Sequence, residues 1–163
     1  MPAIFLEPGH NHARCAEDVI AHAEKICASR AQRLTPMRRK VLETLAASHK
    51  PLGAYEIIDA IAQAGPRPAP ITIYRALDFL IANELVHRIA SRNAFLACVH
   101  THESGALVTF LICESCGTVG EAPAAEVSRT LAAAAQGVGF TPKMSVIEIT
   151  GLCAHCRDQH ASA

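Results

Sequence analysis

Two Cys-x-x-Cys pairs constrain this chain more than any other feature of its sequence: Cys113 with Cys116, and Cys153 with Cys156. Two thiolates at this spacing can bind one metal ion, and four of them complete a tetrahedral shell. Because such a shell leaves no position for water or substrate, the pattern favours a structural zinc ion that ties together the ends of the segment between the pairs. A thioredoxin-like redox pair is the alternative, but that chemistry needs only one pair, placed at the start of a helix in a βαβ unit.

The cysteine count and the N-terminal residues bear on the compartment. The chain has seven cysteines, an odd number, so a fully paired set of disulfides within one chain is excluded. The start MPAIFLEPGH has no basic region of the kind that begins a secretion signal, and no run of roughly 18 apolar residues is present to span a membrane. We therefore expect a cytoplasmic protein with no membrane segment, where paired thiols more often serve metal or redox chemistry than disulfides.

The charge of the chain is unevenly distributed. Fifteen basic and fifteen acidic residues give a formal net charge of zero, which taken whole argues against a nucleic-acid binder. Residues 30–92, however, hold ten Arg and Lys against five Asp and Glu, a net +5, whereas residues 93–163 hold three against six, a net −3. This division favours two functional units, of which the basic one faces an anion, although ordinary scatter is the simpler explanation. With 4% aromatic residues and no Trp, a stacking platform for single strands is disfavoured.

The apolar periodicity of the first part predicts helices followed by a hairpin. After an expected flexible tail over residues 1–12, residues 13–30 have helical spacing, and Thr35 and Pro36 suit the N-cap and first position of the next helix. Two more helices follow in AYEIIDAIAQA and ITIYRALDFLIAN, and LVHRI and AFLACV read as two short strands. Three short helices and a two-stranded hairpin are the order of a winged helix-turn-helix, whose last helix enters a DNA major groove.

The second part predicts a small unit of three strands and one helix. The strands are expected in LVTFLI, GTVGEA and KMSVIEI, and the helix is expected to open at Pro123. The predicted fold class is thus α+β, with a winged-helix domain over residues 13–92 and a smaller metal-binding domain over residues 93–163. Domains this small gain from a metal ion or a dimer interface, because their cores are limited.

A second group of metal-ligand types surrounds the predicted boundary. It comprises His87, Cys98, His100, His102 and Glu121. In an extended strand Cys98 and His100 lie on one face, and a thiolate with imidazoles and a carboxylate suits Zn²⁺. The single soft ligand argues mildly against iron or manganese. A metal here would fix the angle between the two units, although a lone His on a strand is usually a structural or surface residue.

The other cysteines and histidines receive simpler interpretations. We expect Cys15 and Cys27 to be small thiols on the first helix. A third metal site from His10, His12 and Cys15 is conceivable, but a mobile tail is the simpler interpretation. His155 and His160 are expected to face solvent.

Several segments together resemble the ferric uptake regulator family, and within it the zinc-responsive branch. They are AEKICASRAQRLTPMRRKVL, PITIYRALDFL, LVHRIASRNAFLAC, ICESCG followed by Glu121, and VIEITGLCAHC. The most specific elements are Thr-x-Tyr-Arg, formed by Thr72, Tyr74 and Arg75, and the doubled Cys-x-x-Cys at this placement. The resemblance covers roughly residues 23–156, most of the chain.

The resemblance implies a homodimeric repressor that binds a palindromic operator in double-stranded DNA when it is loaded with zinc. Two zinc ions per subunit are implied: a structural ion on the four paired cysteines, and a regulatory ion on His87, Cys98, Glu121 and a histidine from the loop between them. Some relatives carry a His-rich stretch just before the first Cys-x-x-Cys, whereas LVTFLI has no histidine. We favour His102 as the loop ligand because it lies further out on the turn, and His100 competes with it.

The same resemblance points to the residues that contact DNA. Arg75 suits a bidentate bond to guanine, and the ring of Tyr74 can pack on a thymine methyl group. Arg38 and Arg39 suit phosphate contacts, which position a protein without specifying a sequence. A solvated helix face is the alternative for either pair.

Three other functions are compatible with parts of the pattern. A sister sensor for iron, manganese or peroxide would not need the thiolate of Cys98. A nucleobase deaminase needs His-x-Glu and Pro-Cys-x-x-Cys; His22 and Glu24 match the first half, but Ile112 and Leu152 stand where proline is required. A purely structural zinc module would lack DNA binding. We therefore expect a regulator and no enzyme.

Overall fold

The computed structural model describes residue 5 and residues 12–98, 107–142 and 145–161. The chain divides into two compact units. One comprises Pro8–His100, and the other comprises Thr101–Ala163 together with Met1–Glu7. The expected tail over residues 1–12 lies outside the described residues, apart from Phe5 and the first residue of the first helix.

The first unit contains four helices and a hairpin. They are α1 (His12–Ser29), α2 (Pro36–Ala46), α3 (Ala54–Ala62), α4 (Pro70–Ala82), β1 (Val86–Ile89) and β2 (Ala94–Ala97). Each helix places its apolar stripe in one shared core, which includes Val41, Ile57, Ile73 and Leu80. This order of helices and hairpin confirms the winged helix-turn-helix predicted from the sequence, and α4 is the helix that the sequence predicts to enter a DNA groove.

Proline lies at the start of both α2 and α4. Pro36 and Pro70 occupy the first turns of α2 and α4, where a missing N–H costs nothing because it would have no partner within the helix. Thr35 is the N-cap of α2 as predicted, but its side chain makes no capping bond. Its carbonyl instead accepts a hydrogen bond from the amide of Arg39 at 2.9 Å.

The hairpin belongs to the helical unit. β1 and β2 pair antiparallel from Val86 opposite Ala97 to Ile89 opposite Ala94, and the turn between them is a 3₁₀ helix, Ala90–Arg92. Two backbone hydrogen bonds between Leu52 and Phe95, at 2.9 and 2.8 Å, attach the hairpin to the segment between α2 and α3. A boundary after residue 92, as expected from the sequence, would separate the paired strands β1 and β2. The compact unit instead extends past that residue to His100.

The second unit is a three-stranded sheet with two helices. Its elements are β3 (Val108–Cys113), β4 (Val119–Pro123), α5 (Ala125–Gly137), β5 (Val146–Gly151) and α6 (Ala154–Ala161). The central strand β3 pairs antiparallel with β4 and parallel with β5, so β5 lies at one edge of the sheet. Phe110 and Ile112 of β3 are buried.

Two details of this unit differ from the sequence-based prediction. Pro123 ends β4, opposite Val108, and the helix begins at Ala125. The proline ring suits the end of an outer strand, where a missing donor breaks no internal ladder bond. The short helix α6 was not predicted, because its sequence AHCRDQHA has no apolar stripe. In the part of the chain that the structure describes, no helix has the length and hydropathy needed to cross a membrane.

Candidate functional site

The topology of the sheet brings the two cysteine pairs together. β3 and β5 run parallel, and the last pair in their register is Cys113 opposite Gly151. Each Cys-x-x-Cys therefore begins at or just after the carboxyl end of one of two neighbouring strands, at the same edge of the sheet. This explains how ligands far apart in sequence become neighbours in the fold.

The four sulfur atoms have the geometry of a tetrahedral metal site. All four ligand atoms of Cys113, Cys116, Cys153 and Cys156 lie within 4.8 Å of one another. The sulfurs of Cys116 and Cys153 are 3.9 Å apart. A zinc–sulfur bond of about 2.3 Å in a regular tetrahedron requires about 3.8 Å between sulfurs, which is close to the distance between Cys116 and Cys153. This cluster could therefore hold the structural zinc ion predicted from the sequence.

The backbone around the first pair is shaped for metal binding. After β3 the chain makes a tight turn in which the amide of Gly117 donates to the carbonyl of Cys113 at 3.0 Å. Gly117 has a φ of +76°, a conformation that glycine adopts without a steric penalty. The amide of Cys113 donates to the carbonyl of Thr118, also at 3.0 Å, which closes the turn. A hydrogen bond of 3.3 Å also joins Cys116 Sγ to Thr118 Oγ1, and the hydroxyl donates once the sulfur is a thiolate.

The second pair lies at the start of α6. Cys153 immediately precedes this helix, and its carbonyl accepts a hydrogen bond from the amide of Arg157 at 2.9 Å. The N-terminal end of a helix carries a partial positive charge and unpaired amides, both of which favour thiolates. The amide of Cys153 itself donates to Cys113 Sγ at 3.4 Å. The helix that the sequence did not reveal thus supports the site.

The thiol pKa values differ widely within the cluster. Burial raises the pKa of Cys113, but hydrogen bonds from the Cys116 and Cys153 amides, the Cys116 side chain and the Ser115 amide outweigh it and lower this pKa to about 6. For Cys153 the Cys156 amide lowers the pKa, but burial and hydrogen bonds with the other three thiols raise it to about 12. One sulfur therefore ionises readily and another resists. A divalent cation removes this conflict, because it stabilises all four thiolates.

One apolar side chain outside the cysteine motifs also lies at the cluster. Phe5 is half-buried and packs, with Cys116, against the buried Cys113, Cys153 and Cys156. Sequence reasoning missed both Phe5 and Thr118. The Gly-Thr after the first pair is a signal for a tight turn, whereas nothing near Phe5 in the sequence points to the cysteines.

His87 and Cys98 come together within the winged-helix unit. His87 lies opposite Leu96 in the hairpin, and the amide of Cys98 donates to the carbonyl of Leu85 at 3.0 Å just beyond β2. Side chains two residues apart on a strand share a face, so Cys98 lies diagonally from His87 on one face of the hairpin. Their ligand atoms are within 4.8 Å. Glu121 is half-buried on β4 of the other unit, and the two loop histidines, His100 and His102, lie outside the described residues.

The residues predicted to contact DNA bases are exposed on α4. Thr72, Tyr74 and Arg75 are all exposed, and the Tyr74 side chain is 41% accessible. Ile73 and Leu77, which are four residues apart on the opposite face of the helix, are fully buried and hold α4 in the core. α4 therefore presents a free polar face of the kind that a major groove accepts.

Arg38 and Arg39 are both engaged within the protein. The guanidinium of Arg38 lies 3.4 Å from the centre of the Phe79 ring and donates to the carbonyl of Arg33 at 2.7 Å. Arg39 forms ion pairs with Glu24 and, at 3.7 Å, with Glu43. Both arginines are half-buried. Arg38 thereby joins α2 to the recognition helix, a role that its sequence position did not reveal.

Comparison with known proteins identifies the family to which this chain belongs. The model of the ferric uptake regulator family matches residues 29–150. The chain belongs to the ferric uptake regulator family. This family member is 37% identical to the zinc uptake regulation protein of Escherichia coli (strain K12) over 145 residues, which cover 89% of the chain and 85% of that relative.

Solved structures agree with this assignment. A zinc uptake regulator complexed with zinc and DNA matches with a TM-score of 0.85 at 37% identity, covering 90% of the chain and 97% of that structure. The crystal structure of holo XcZur matches with a TM-score of 0.79 at 43% identity, covering 88% and 99%. The resemblance to the ferric uptake regulator family is thus confirmed over most of the chain.

The remaining cysteines and histidines of this family member lie apart from the thiol cluster. Cys27 is a buried thiol in the core of the winged-helix unit, as expected. His155 is exposed, as expected, and lies 3.0 Å from Gln159 on α6. The side chains of His12, Cys15 and His160, and all of His10, lie outside the described residues.

Proposed function

We propose that this chain is a zinc-responsive transcriptional repressor whose zinc-loaded homodimer binds a palindromic operator and represses zinc-uptake genes. The observation that carries the proposal is the convergence of four thiol sulfurs within 4.8 Å in a chain that resembles zinc uptake regulators over nine-tenths of its length. As a repressor it acts where the genome is, in the cytoplasm.

The four-cysteine site has the structural role. Its ligands join β3 to β5 and α6, so the bound state holds both ends of the small unit together. When bound, zinc supplies a divalent charge and four fixed bond directions. The closed set of thiolates keeps water away from the ion, which makes this a site for stability rather than for chemistry.

The regulatory site is built around His87 and Cys98. We assign Glu121 and His102 as its other ligands, with His100 as the competitor of His102. The proximity of an imidazole and a thiol on one hairpin face supports the assignment, because that pair suits zinc better than harder metals. Since its ligands come from both units, occupancy restricts the range of orientations that the winged helix can take.

DNA reading falls to α4. In the proposed dimer two copies of α4 face two half-sites of the operator. Both helices can bind only if the distance between them matches the distance between the half-sites. Arg75 and Tyr74 contact base edges, Thr72 lies beside them, and Arg38 and Arg39 contribute positive charge near the phosphates. Zinc and operator then raise each other's affinity by the same factor, because coupling between two binding sites is reciprocal.

The dimer is supported by the surface of the second unit. β5 is an edge strand of the described sheet, and edge strands are the ones that can pair with a second copy. Exposed apolar side chains of this unit lie on β5, on α5 and just after α5: Val146, Ile149, Val127, Leu131, Val138 and Phe140. A two-fold axis would let this surface meet its own copy. Ile149→Glu is expected to yield monomers in sedimentation velocity, whereas Gln63→Glu, on the exposed end of α3, leaves the dimer intact.

A sister sensor for iron, manganese or peroxide is the second candidate within the family. Cys98 disfavours it, because a site for a harder metal has no need of a buried thiolate. A structural zinc module without DNA binding is the candidate from another class. The exposed Thr-x-Tyr-Arg face of α4 disfavours that alternative, since a module of this kind needs no such face.

The proposal is tested by selecting duplexes from a random DNA library with purified protein at buffered low and high free zinc. The expected result at high zinc is a near-palindromic motif, and at low zinc no enriched motif. Enrichment of the same motif by metal-depleted protein would contradict zinc-responsive binding. No enrichment in either condition would favour the structural module.

A further inference from the structure

The cluster of four cysteines has an apolar neighbour from the opposite end of the chain. Phe5 is half-buried and packs against Cys113, Cys153 and Cys156, and it belongs to the same compact unit as these cysteines. None of the sequence features that predict the zinc site involves this residue. The contact therefore adds a component to the site that the metal ligands do not account for.

The chemistry of phenylalanine limits what this contact can do. The side chain has no donor or acceptor, so it neither binds a metal ion nor orients a ligand by hydrogen bonding. It does exclude water, and the apolar shell around a metal site controls solvent access. Three of the ligands are buried, whereas Cys116 is only half-buried and marks the side from which an attacking molecule can reach the ion.

Exclusion of water also strengthens the bonds already described around the cluster. The 3.4 Å hydrogen bond from the Cys153 amide to Cys113 Sγ gains strength in a site of low local dielectric, and so does the contact between Cys116 and Thr118. An aromatic ring beside these groups therefore favours the retention of the ion.

We propose that Phe5 covers the four-cysteine zinc site and slows the loss of zinc to competing ligands, namely small chelators and free thiols. The proposal rests on the structural role assigned to that site above. Phe5 then acts on metal exchange at this site, and it is neither a proposed DNA contact nor a proposed regulatory ligand.

The test follows zinc transfer from the full-length protein to the chromogenic chelator 4-(2-pyridylazo)resorcinol. Phe5→Ala is compared with the wild type, with Phe5→Leu, which keeps an apolar cover, and with Tyr55→Ala, which removes an exposed aromatic ring from the other unit. Phe5→Ala is expected to release its structural zinc about tenfold faster, in line with the effect of groups just outside a metal's ligands. Phe5→Leu is expected to lie close to the wild type, and Tyr55→Ala to match it.

A second measurement separates cover from general loss of stability. Alkylation of the zinc-loaded proteins by iodoacetamide, followed by peptide mass spectrometry, is expected to modify Cys116 faster in Phe5→Ala, at a temperature where circular dichroism shows all variants folded. Equal release and equal alkylation in wild type and Phe5→Ala would overturn the proposal. Zinc release from Tyr55→Ala that is accelerated as much as in Phe5→Ala would overturn it too. Wild-type protein that holds no zinc on these cysteines would instead contradict the proposed function.

Discussion

The backbone amide of Cys153 donates a hydrogen bond to the sulfur of Cys113, 3.4 Å away and 40 positions earlier in the chain. This contact exists because β3 and β5 are parallel neighbours whose carboxyl ends lie at the same edge of the sheet. It stabilises negative charge on one sulfur of the proposed zinc site. The convergence of the four cysteines is therefore a consequence of the sheet topology as much as of the cysteine spacing.

Removal of one of these sulfurs is expected to cost the metal and the order of the second unit. Cys113→Ser should lose one zinc ion per chain by elemental analysis, because the serine hydroxyl is a poor zinc ligand. Structural zinc contributes about 10–16 kcal/mol in small zinc domains, so the second unit should lose cooperative thermal unfolding. Cys27→Ala, which removes a buried thiol of the other unit, should keep its zinc. Full zinc content in Cys113→Ser would contradict the assignment.

Zinc binding at the four-cysteine site is expected to release protons in a pH-dependent number. At pH 8 the pKa of Cys113, about 6, leaves its thiol already ionised, whereas the pKa of Cys153, about 12, keeps that thiol protonated. Fewer than four protons, and at least one, should therefore be released. Below pH 6 Cys113 is protonated as well, so proton release rises and affinity falls. Titration calorimetry of the metal-free protein in buffers of different ionisation enthalpy measures this number; four protons at pH 8 would contradict the low Cys113 pKa.

Arg75→Ala is expected to weaken operator binding by about 1–3 kcal/mol, the range for loss of one bidentate arginine–guanine contact. Binding to an unrelated duplex should change much less, because that affinity comes from phosphate contacts. Fluorescence anisotropy with both duplexes at fixed salt measures the two effects. Arg129→Ala, on α5 of the other unit, should leave both affinities unchanged. Equal weakening on the two duplexes would instead make Arg75 a phosphate contact.

Arg38→Ala is expected to destabilise the winged-helix unit as well as weaken DNA binding. The substitution removes a cation–π contact to Phe79 and a hydrogen bond to the Arg33 carbonyl, together about 1–2 kcal/mol of unfolding free energy in urea titration. Because Arg38 holds α4 in place, affinity should fall for all duplexes without a change in the preferred motif. Arg33→Ala retains the accepting carbonyl and should stay within about 0.5 kcal/mol of the wild type. An unchanged free energy of unfolding for Arg38→Ala would mean that this side chain is solvated and makes no stabilising contact.

Much of this architecture follows from local sequence. Helical spacing predicted α1 to α4, Pro36 predicted the start of α2, and the doubled Cys-x-x-Cys predicted the group of four thiols that could hold zinc. In each case the signal lies within a few residues of the feature that it predicts. The net charge of zero argued against a nucleic-acid binder. The division of charge reversed that argument, because the basic stretch over residues 30–92 contains α4, the helix proposed to read DNA.

Features set by contacts distant in sequence were not predictable in this way. The helix α6 has no apolar stripe, and it forms where Cys153 and Cys156 are held in the cluster. The contact of Arg38 with Phe79 was not predictable, because only the fold brings that ring beneath the guanidinium. The phosphate contact of Arg38 stays a prediction. Phe5 lies too far from the cysteines in the chain for any local pattern to connect them.

The central claim is that zinc at the site built around Cys98 controls DNA binding. The most direct measurement is operator affinity across a buffered free-zinc series for wild type and Cys98→Ser, with Cys27→Ala as the matched control for loss of a buried cysteine. The account predicts that affinity rises steeply with free zinc in the wild type and in Cys27→Ala, while Cys98→Ser stays weak and keeps its structural zinc. A normal zinc response in Cys98→Ser, or equal wild-type binding with and without the second zinc ion, would contradict it.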